Sequence, residues 1–165
     1  MIKFFLIALV MALIPVRLSA SEPASQEYLN KETRCVAEAI YFEARNQDTL
    51  GQIAVAIVIR NRMKDYRWPS SACAVVKEGH YWKGNPIRHK CQFSYWCDGK
   101  HEKPLEQEAW HKALYIAQEV IQDRISVDFL DRATHYHSLA VNPSWSKKYR
   151  LCAVIGDHIF YDHGS

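Results

Sequence analysis

The first twenty residues limit what this chain can fold into. Met1–Ala20 begins with one cation, Lys3, continues as an apolar run over residues 4–16 and closes with small residues before the polar Ser21. This pattern is typical of a removable signal peptide, and the run is shorter than the roughly 20 apolar residues that span a bilayer. A retained membrane anchor is the alternative. Removal of these 20 residues from the 165 leaves 145, enough for one domain with one core.

Composition narrows the class of protein further. Hydrophobic residues make up 48% and charged residues 24%, which is typical of a folded globular domain and excludes a disordered or collagen-like chain. Without the leader, 19 Lys and Arg residues face 18 Asp and Glu residues, so no nucleic-acid partner is predicted. We expect an exported monomer in the periplasm, the cell wall or outside the cell, without a membrane span in its mature form.

Export would place all five cysteines in a compartment where disulfides form. Cys91 and Cys97 have five residues between them, close enough for a bridge that closes a local loop, and we predict that pair. Cys35, Cys73 and Cys152 leave the remaining connectivity open, with at least one thiol unpaired. The spacings match no zinc ribbon, and no metal site is predicted from them.

Helical periodicity dominates the rest of the chain, and the fold class that it predicts is α+β and mainly helical. We expect a flexible lead-in at 21–32 and a single domain over 33–163, in which a helical core carries a small C-terminal β-hairpin. Residues 78–103 lack periodicity and are predicted to form a long, ordered functional loop. The predicted elements are helices at Thr33–Arg45, Gly51–Asp65, Ser70–Val76 and Pro104–Asp123, and hairpin strands at Tyr149–Ile155 and His158–Tyr161.

Glu43 is the first candidate for chemistry. It follows Ile40 by three residues and Val36 by seven, so it lies on the apolar side of the first predicted helix. A carboxyl group held among apolar neighbours loses hydration and its pKa rises, as a general acid requires. The alternative is a structural glutamate that is paired with Arg60 or Arg62.

Three further segments place polar groups beside aromatic rings, a combination that suits carbohydrate but is also typical of loop packing. Two of the histidines would share one face of a strand, where His158 or Glu43 could complete a three-ligand zinc site, although hydrogen-bonding or structural roles are favoured. The candidate residues are Gln92, Phe93, Ser94, Thr134, His135, Tyr136, His137 and Trp145.

Seven sequence blocks occur in the same order as in the SleB/CwlJ-type cell wall hydrolases, which this chain resembles over residues 34–162. The blocks are Ala39–Arg45, Gly51–Ala56, Asn61-Arg62, Cys91–Ser94, Ala133–His137, Pro143–Trp145 and Ile155–Phe160. The resemblance implies a helical domain related to lysozymes and lytic transglycosylases, with a small β element and no cofactor. It places the family's catalytic glutamate on Glu43.

The same resemblance implies cleavage of peptidoglycan glycan strands between N-acetylmuramic acid and N-acetylglucosamine. Glu43 would protonate the glycosidic oxygen, and the 6-hydroxyl of the substrate would then attack C1, so one carboxyl group serves as acid and then as base. The candidate residues beside aromatic rings would line the glycan groove.

Three alternatives remain at this point. A muramidase would use water and a second carboxylate, for which Asp48 is the nearest rival in sequence. A zinc-dependent amidase would use the pair His135 and His137. A wall-binding module without catalysis would hold glycan through its tryptophans, among them Trp82, Trp96 and Trp145.

Overall fold

The computed structural model describes residues 23–164, so the predicted signal peptide lies outside the described residues. The helices are α1 (Pro23–Ala44), α2 (Thr49–Lys64), α3 (Ala72–Val76) and α4 (Gln107–Ile121). The strands are β1 (Gly79–Trp82), β2 (Asn85–Cys91), β3 (His135–Ser138), β4 (Arg150–Ile155) and β5 (His158–Asp162). They form two antiparallel sheets, a β1–β2 hairpin and a three-stranded sheet in the order β3-β5-β4. In this part of the chain, no helix is long and apolar enough to cross a membrane.

Helix α2 is the centre of the core. Its residues 54–59 are fully buried, because its apolar run covers every side of the helix and such a helix needs neighbours all round. Asp48 caps it by accepting a hydrogen bond from the Gly51 N–H at 2.7 Å. Arg62 and Lys64 lie in its last turn, where the negative end of the helix dipole stabilises cations. The predicted central helix is therefore confirmed within two residues at either end.

Helix α1 begins ten residues earlier than predicted. The flexible lead-in predicted at 21–32 is wrong from Pro23 onward, and Thr33 is a buried residue inside the helix rather than its cap. Residues 25–31 are mostly exposed, so they show no apolar periodicity that would have revealed the first turns. The following turns are fixed by tertiary contacts: the buried Glu32 carboxylate accepts a hydrogen bond from the Cys73 N–H at 3.0 Å, and a Cys35–Cys73 disulfide joins α1 to α3. Pro23 suits the first turn, where its missing N–H costs nothing.

Three polar residues at the end of α2 hold the connection that leads to β3, and we call them the α2 clamp: Arg60, Asn61 and Arg62. Each donates from its side chain to main-chain carbonyl oxygens, which satisfies those acceptors, although Nε of Arg60 has no hydrogen-bond partner among the described residues. The distances are 2.9 Å to Ile125, 2.8 Å to Leu130 and to Ala133, and 2.7 Å to Thr134. The clamp fixes the position at which β3 starts relative to the end of α2.

The segment predicted as one long loop, residues 78–103, contains the β1–β2 hairpin and a 3-10 turn at Ser94–Cys97. The prediction missed the strands because nearly every residue of the hairpin is exposed, and a strand without a buried face shows no alternation of polar and apolar residues. The predicted Cys91–Cys97 disulfide is present and joins the hairpin to the 3-10 turn, while Cys152 is a free thiol.

The C-terminal hairpin forms as predicted, with Gly156 and Asp157 at its turn between β4 and β5. Gly156 has φ of +54°, and a side chain there would collide with the amide of Gln47. That amide donates to the Asp157 carboxylate at 3.0 Å and accepts from the Asp157 N–H at 3.0 Å. The turn is thereby docked onto the connection between α1 and α2. Two other boundaries moved slightly: Ser71, not Ser70, caps α3, and α4 begins at Gln107.

Candidate active site

Glu43 lies in the last turn of α1 and is half-buried. Its carboxyl group accepts hydrogen bonds from the Ser94 hydroxyl at 3.5 Å, from the main-chain N–H groups of Ser94 and Tyr95, and from the Tyr136 hydroxyl. Burial raises the pKa of Glu43 above its ordinary value, although all four hydrogen bonds favour the charged form and act against that rise. The result is an acid that holds its proton more tightly than a free glutamate does.

The segment that contacts Glu43 is fixed from several sides. Phe93 is buried in the core with only 1% of its surface exposed, and the Cys91–Cys97 disulfide closes the chain around it. The ring of Tyr95 stacks on Phe42 at a centroid distance of 4.8 Å. These contacts hold the donors of residues 94 and 95 in place before any substrate arrives.

Tyr136 approaches the same carboxyl group from β3. Burial, followed by the negative charge of Glu43, raises the pKa of Tyr136 well above its ordinary value, so the hydroxyl stays protonated and donates. The positive charge of Arg62 acts in the opposite direction. Strand geometry explains why Tyr136 reaches Glu43 while its neighbours do not, because successive side chains point to opposite faces.

His135 and His137 lie on the other face of β3, in an aromatic cluster with Trp145. The ring of His135 lies 5.3 Å from that of Trp145 and 4.7 Å from that of Tyr149, and burial lowers the pKa of His135 to about 4. His137 donates from Nδ1 to the Ser138 carbonyl at 2.9 Å, so its Nε2 accepts from the Tyr161 hydroxyl at 3.0 Å. Neither histidine is among the contacts found for Glu43.

Three of the residues predicted to line the groove are buried instead. Phe93 packs in the core, Thr134 is 4% exposed and His137 is 8% exposed. The Thr134 carbonyl accepts from Arg62, and its hydroxyl lies 3.1 Å from Nδ1 of His135. The Phe93 side chain fills the core, and the polar atoms of Thr134 and His137 are engaged inside the protein, so these three are supporting residues in this structure and their prediction as groove-lining residues is corrected. Gln92 and Ser94 are exposed.

The zinc arrangement considered from the sequence does not form. Among residues 23–164, no group of three or more His, Cys, Asp and Glu side chains is placed to hold a metal ion. Both ring nitrogens of His137 already have partners, and His158 packs its ring against Tyr136 at 5.4 Å.

The structural alternative for Glu43 is also wrong. Arg60 forms its ion pair with Asp123 at 3.2 Å, and Arg62 donates to the Thr134 carbonyl. The rings of Phe93 and Trp68 lie beneath the Arg62 guanidinium at 5.6 Å. Neither arginine is therefore the ion-pair partner of Glu43 in the part of the chain that the structure describes.

An open cavity of about 380 Å³ is lined by Phe42, the sequence neighbour of Glu43, and by Ser94, its hydrogen-bond donor, although Glu43 itself is not among the lining residues. The sequence did not single out several of its other lining residues, although Tyr95 lies inside the predicted cysteine loop and could have been found there. Those other residues are Tyr41, Arg45, Tyr95, Asp98, Lys100, His101, Glu102, Lys103, Leu105 and Glu106. A larger cavity, about 600 Å³, lies between α4 and the opposite end of α1.

Residues 46–161 match the protein family described as Cell Wall Hydrolase. The chain belongs to the cell wall hydrolase family. The predicted family is therefore confirmed, and the matched segment covers the α2 clamp, the hairpin, the Ser94–Cys97 turn and β3. Glu43 itself lies three residues before the matched segment.

This cell wall hydrolase is similar to two curated spore cortex-lytic enzymes over 51 residues, or 31% of the chain. It is 39% identical to the enzyme of Bacillus subtilis (strain 168) and 37% identical to that of Halalkalibacterium halodurans (strain C-125). The similar segment spans only 17% and 16% of the length of those two proteins.

Two solved structures share the fold of this cell wall hydrolase. The catalytic domain of the germination-specific lytic transglycosylase SleB from Bacillus anthracis has a TM-score of 0.57 at 24% identity, over 79% of this chain and 93% of that domain. The catalytic domain of the Bacillus cereus SleB protein has a TM-score of 0.58 at 23% identity, over 79% of this chain and 89% of that domain. The predicted α+β, mainly helical fold is confirmed.

Proposed function

We propose that this cell wall hydrolase cleaves the glycan strands of peptidoglycan as a lytic transglycosylase, with Glu43 as its single catalytic carboxyl group. The observation that carries this proposal is the setting of Glu43: its pKa is raised by burial, the groups that contact it are hydrogen-bond donors, and its neighbours Phe42 and Ser94 line an open cavity. The similarity to SleB catalytic domains, one of which is described as a lytic transglycosylase, supports the same chemistry.

In the first step, neutral Glu43 donates its proton to the oxygen that joins C1 of N-acetylmuramic acid to N-acetylglucosamine. The C1–O bond breaks, and positive charge develops at C1 and the ring oxygen. Glu43 becomes a carboxylate, and the donors from Ser94, Tyr95 and Tyr136 stabilise that charged form.

In the second step, the 6-hydroxyl of the same muramic acid attacks C1. Its proton passes to the Glu43 carboxylate, which restores the neutral acid, and the product carries a 1,6-anhydro ring. No water is consumed, so one carboxyl group is enough for the whole cycle.

Water-dependent muramidase action is the competing reaction. It requires a second carboxyl group about 5 to 9.5 Å from the first. Asp48, the rival suggested by the sequence, is engaged as the cap of α2. Glu106, which lines the cavity, forms an ion pair with Arg45 at 3.0 Å. The contacts of Glu43 that support the proposal come from hydroxyl and N–H groups.

The deciding experiment digests purified peptidoglycan and identifies the soluble products by mass spectrometry. We expect anhydro-muramic ends from the wild-type protein and no soluble products from Glu43→Gln. The matched control is Glu38→Gln, which removes another α1 carboxyl group whose pKa burial also raises, and this variant should stay active. Undiminished activity of Glu43→Gln would contradict the assignment of Glu43 as the catalytic acid.

Other product classes identify the alternatives. Reducing muramic ends would indicate a muramidase, and free peptides with new amino termini would indicate an amidase. Binding without soluble products would indicate a wall-binding module.

We also infer that the mature protein is a monomer that acts outside the cytoplasm, in the periplasm, the cell wall or the medium. The two disulfides of the described residues support an oxidising compartment, and peptidoglycan lies there. Cell fractionation, followed by the intact mass of the purified protein, tests both export and removal of residues 1–20. Size-exclusion chromatography with light scattering tests the monomer.

A further inference from the structure

The β1–β2 hairpin projects an aliphatic and aromatic face into solvent. Trp82 is 69% exposed and Ile87 is 40% exposed. The pairing of Trp82 with Asn85 puts both side chains on one face, and Ile87 shares that face because it lies two residues further along β2. Tyr81 and Arg88 belong to the opposite face, which is also exposed but forms hydrogen bonds with Trp96 and Asp98.

This hairpin is held firmly despite its exposure. A two-stranded hairpin alone is only marginally stable in water. Here the Cys91–Cys97 disulfide fixes its base, Trp96 Nε1 donates to the Tyr81 hydroxyl at 3.0 Å, and Arg88 Nε donates to the Asp98 carbonyl at 2.9 Å. These contacts hold the two strands of the hairpin, while the side chain of Trp82 lies mostly in solvent and outside the core.

The hairpin is also strongly cationic. Residues 79–91 contain Lys83, Arg88 and Lys90 and no Asp or Glu. None of these three cations belongs to an ion pair within residues 23–164, and the Lys83 ammonium lies 6.0 Å from the centre of the Trp82 ring. Since the chain without its leader is nearly balanced in charge, this local excess favours an anionic partner.

The hairpin is continuous with the candidate active site. Strand β2 leads directly into Gln92, and the donors to Glu43 follow at residues 94 and 95. A cavity of about 420 Å³ at the base of the hairpin is lined by Glu78, Gly79, His80, Lys90, Cys91 and Gln92. A polymer bound at Glu43 would therefore have its side groups within reach of the hairpin.

We propose that the β1–β2 hairpin binds the anionic stem peptides of the peptidoglycan strand whose glycan lies at Glu43. The inference rests on the proposed function. Stem peptides carry free carboxylates for Lys83 and Lys90, and alanine methyl groups that can pack on Trp82 and Ile87. The uncharged backbone of the glycan offers no carboxylate to these cations.

The test measures co-sedimentation of the protein with insoluble peptidoglycan, in the Glu43→Gln background so that the polymer is not consumed. One batch is untreated, and in the other the stem-peptide carboxylates have been converted to amides. The hairpin variant Lys83→Gln/Lys90→Gln should bind untreated peptidoglycan roughly fivefold more weakly than its Glu43→Gln parent at low salt. The hairpin variant and its parent should bind the amidated batch equally. The matched control, Lys31→Gln/Lys112→Gln, removes two exposed helical cations and should bind like its parent.

Three results would overturn the proposal: unchanged binding by the hairpin variant, an equal loss on untreated and amidated peptidoglycan, or hairpin-dependent binding to anionic phospholipid vesicles that is tighter than binding to peptidoglycan. The second points to contact with the glycan, and the third to a membrane surface. Product analysis of the active protein is scored separately. If Glu43→Gln keeps its activity, the proposed function fails, while the comparison of amidated with untreated peptidoglycan still decides what the hairpin binds.

Discussion

The hydroxyl of Tyr136 donates a hydrogen bond to the carboxyl group of Glu43, joining the first strand of the three-stranded sheet to the last turn of α1. The orientation of the acid therefore depends on a residue that lies 93 positions away in the sequence. A change on the strand should alter the titration of the acid on the helix.

We expect Tyr136→Phe to lower kcat roughly tenfold and to shift the pH dependence of kcat. The lost donor favours the charged form of Glu43, so its removal raises the pKa of Glu43 further, and the decline of the rate with rising pH moves to higher pH. Tyr161→Phe is the matched control, because its hydroxyl contacts His137. A pH profile of Tyr136→Phe with an unmoved alkaline limb would contradict the contact.

Glu43→Gln should change how stability depends on pH. Because the folded-state pKa of Glu43 is raised above 4.5, Glu43 contributes stability below about pH 4.5 that is lost as pH rises through its folded pKa. Glutamine cannot ionise and loses nothing. The melting temperature of Glu43→Gln relative to wild type should therefore be more favourable at pH 7 than at pH 4, by calorimetry.

Glu119→Gln provides the control of opposite sign. A hydrogen bond from Arg124 lowers the pKa of Glu119, so its small contribution is present at pH 7 and is lost as pH falls through that lowered pKa. A difference between Glu43→Gln and wild type that stays constant from pH 4 to pH 7 would refute a raised pKa for Glu43.

The two disulfides should differ in what they stabilise. Cys35 and Cys73 are 38 residues apart, and loss of that bridge should lower the free energy of unfolding by about 4 kcal/mol from loop closure alone. Cys91 and Cys97 are six residues apart, and their bridge should contribute about 2 kcal/mol. Urea unfolding of the two paired Cys→Ala variants measures both values.

Activity should follow the opposite order. The Cys91–Cys97 bridge encloses the donors to Glu43, so its loss should reduce kcat even at a temperature where the variant is fully folded. Loss of the Cys35–Cys73 bridge should leave kcat near that of wild type at such a temperature. Equal kcat values for the two variants would show that the shorter bridge does not hold the site.

Asn61→Ala should destabilise the protein by about 2 to 3 kcal/mol, because the Leu130 and Ala133 carbonyls lose a buried donor that lies 2.8 Å from each. It should also lower kcat, since β3 and Tyr136 follow directly. Asn142→Ala, at an exposed position, is the control and should cost little. Urea unfolding and kinetics on peptidoglycan give the two readouts, and a variant as stable as wild type would show that the clamp is dispensable.

Local signals predicted the parts of the fold that depend on local interactions. The apolar run of α2 and the Gly156-Asp157 turn identify their elements without reference to the rest of the chain. The start of α1 was missed because residues 25–31 are mostly exposed and show no apolar periodicity. The β1–β2 hairpin was missed because it buries neither face.

The same contrast between local and long-range signals applies to the prediction of the candidate site. Helical periodicity places Glu43 in apolar surroundings, and the cysteine loop brings Ser94 near. The sequence does not reveal that Phe93 and Thr134 are buried, because short polar and aromatic motifs look the same in a groove and in a core. The approach of Tyr136 to Glu43 depends on strand register, which no single segment encodes.

The α2 clamp bonds to carbonyl oxygens, which every amino acid possesses. The exposed side chains of this connection, Ser126, Asp128 and Asp131, can therefore be exchanged as long as the main chain keeps its path, whereas Leu130 and Ala133 are buried in the core and must stay apolar. Substitutions at these exposed positions should change the charge or the solubility of the protein and leave the alignment of Tyr136 with Glu43 unchanged.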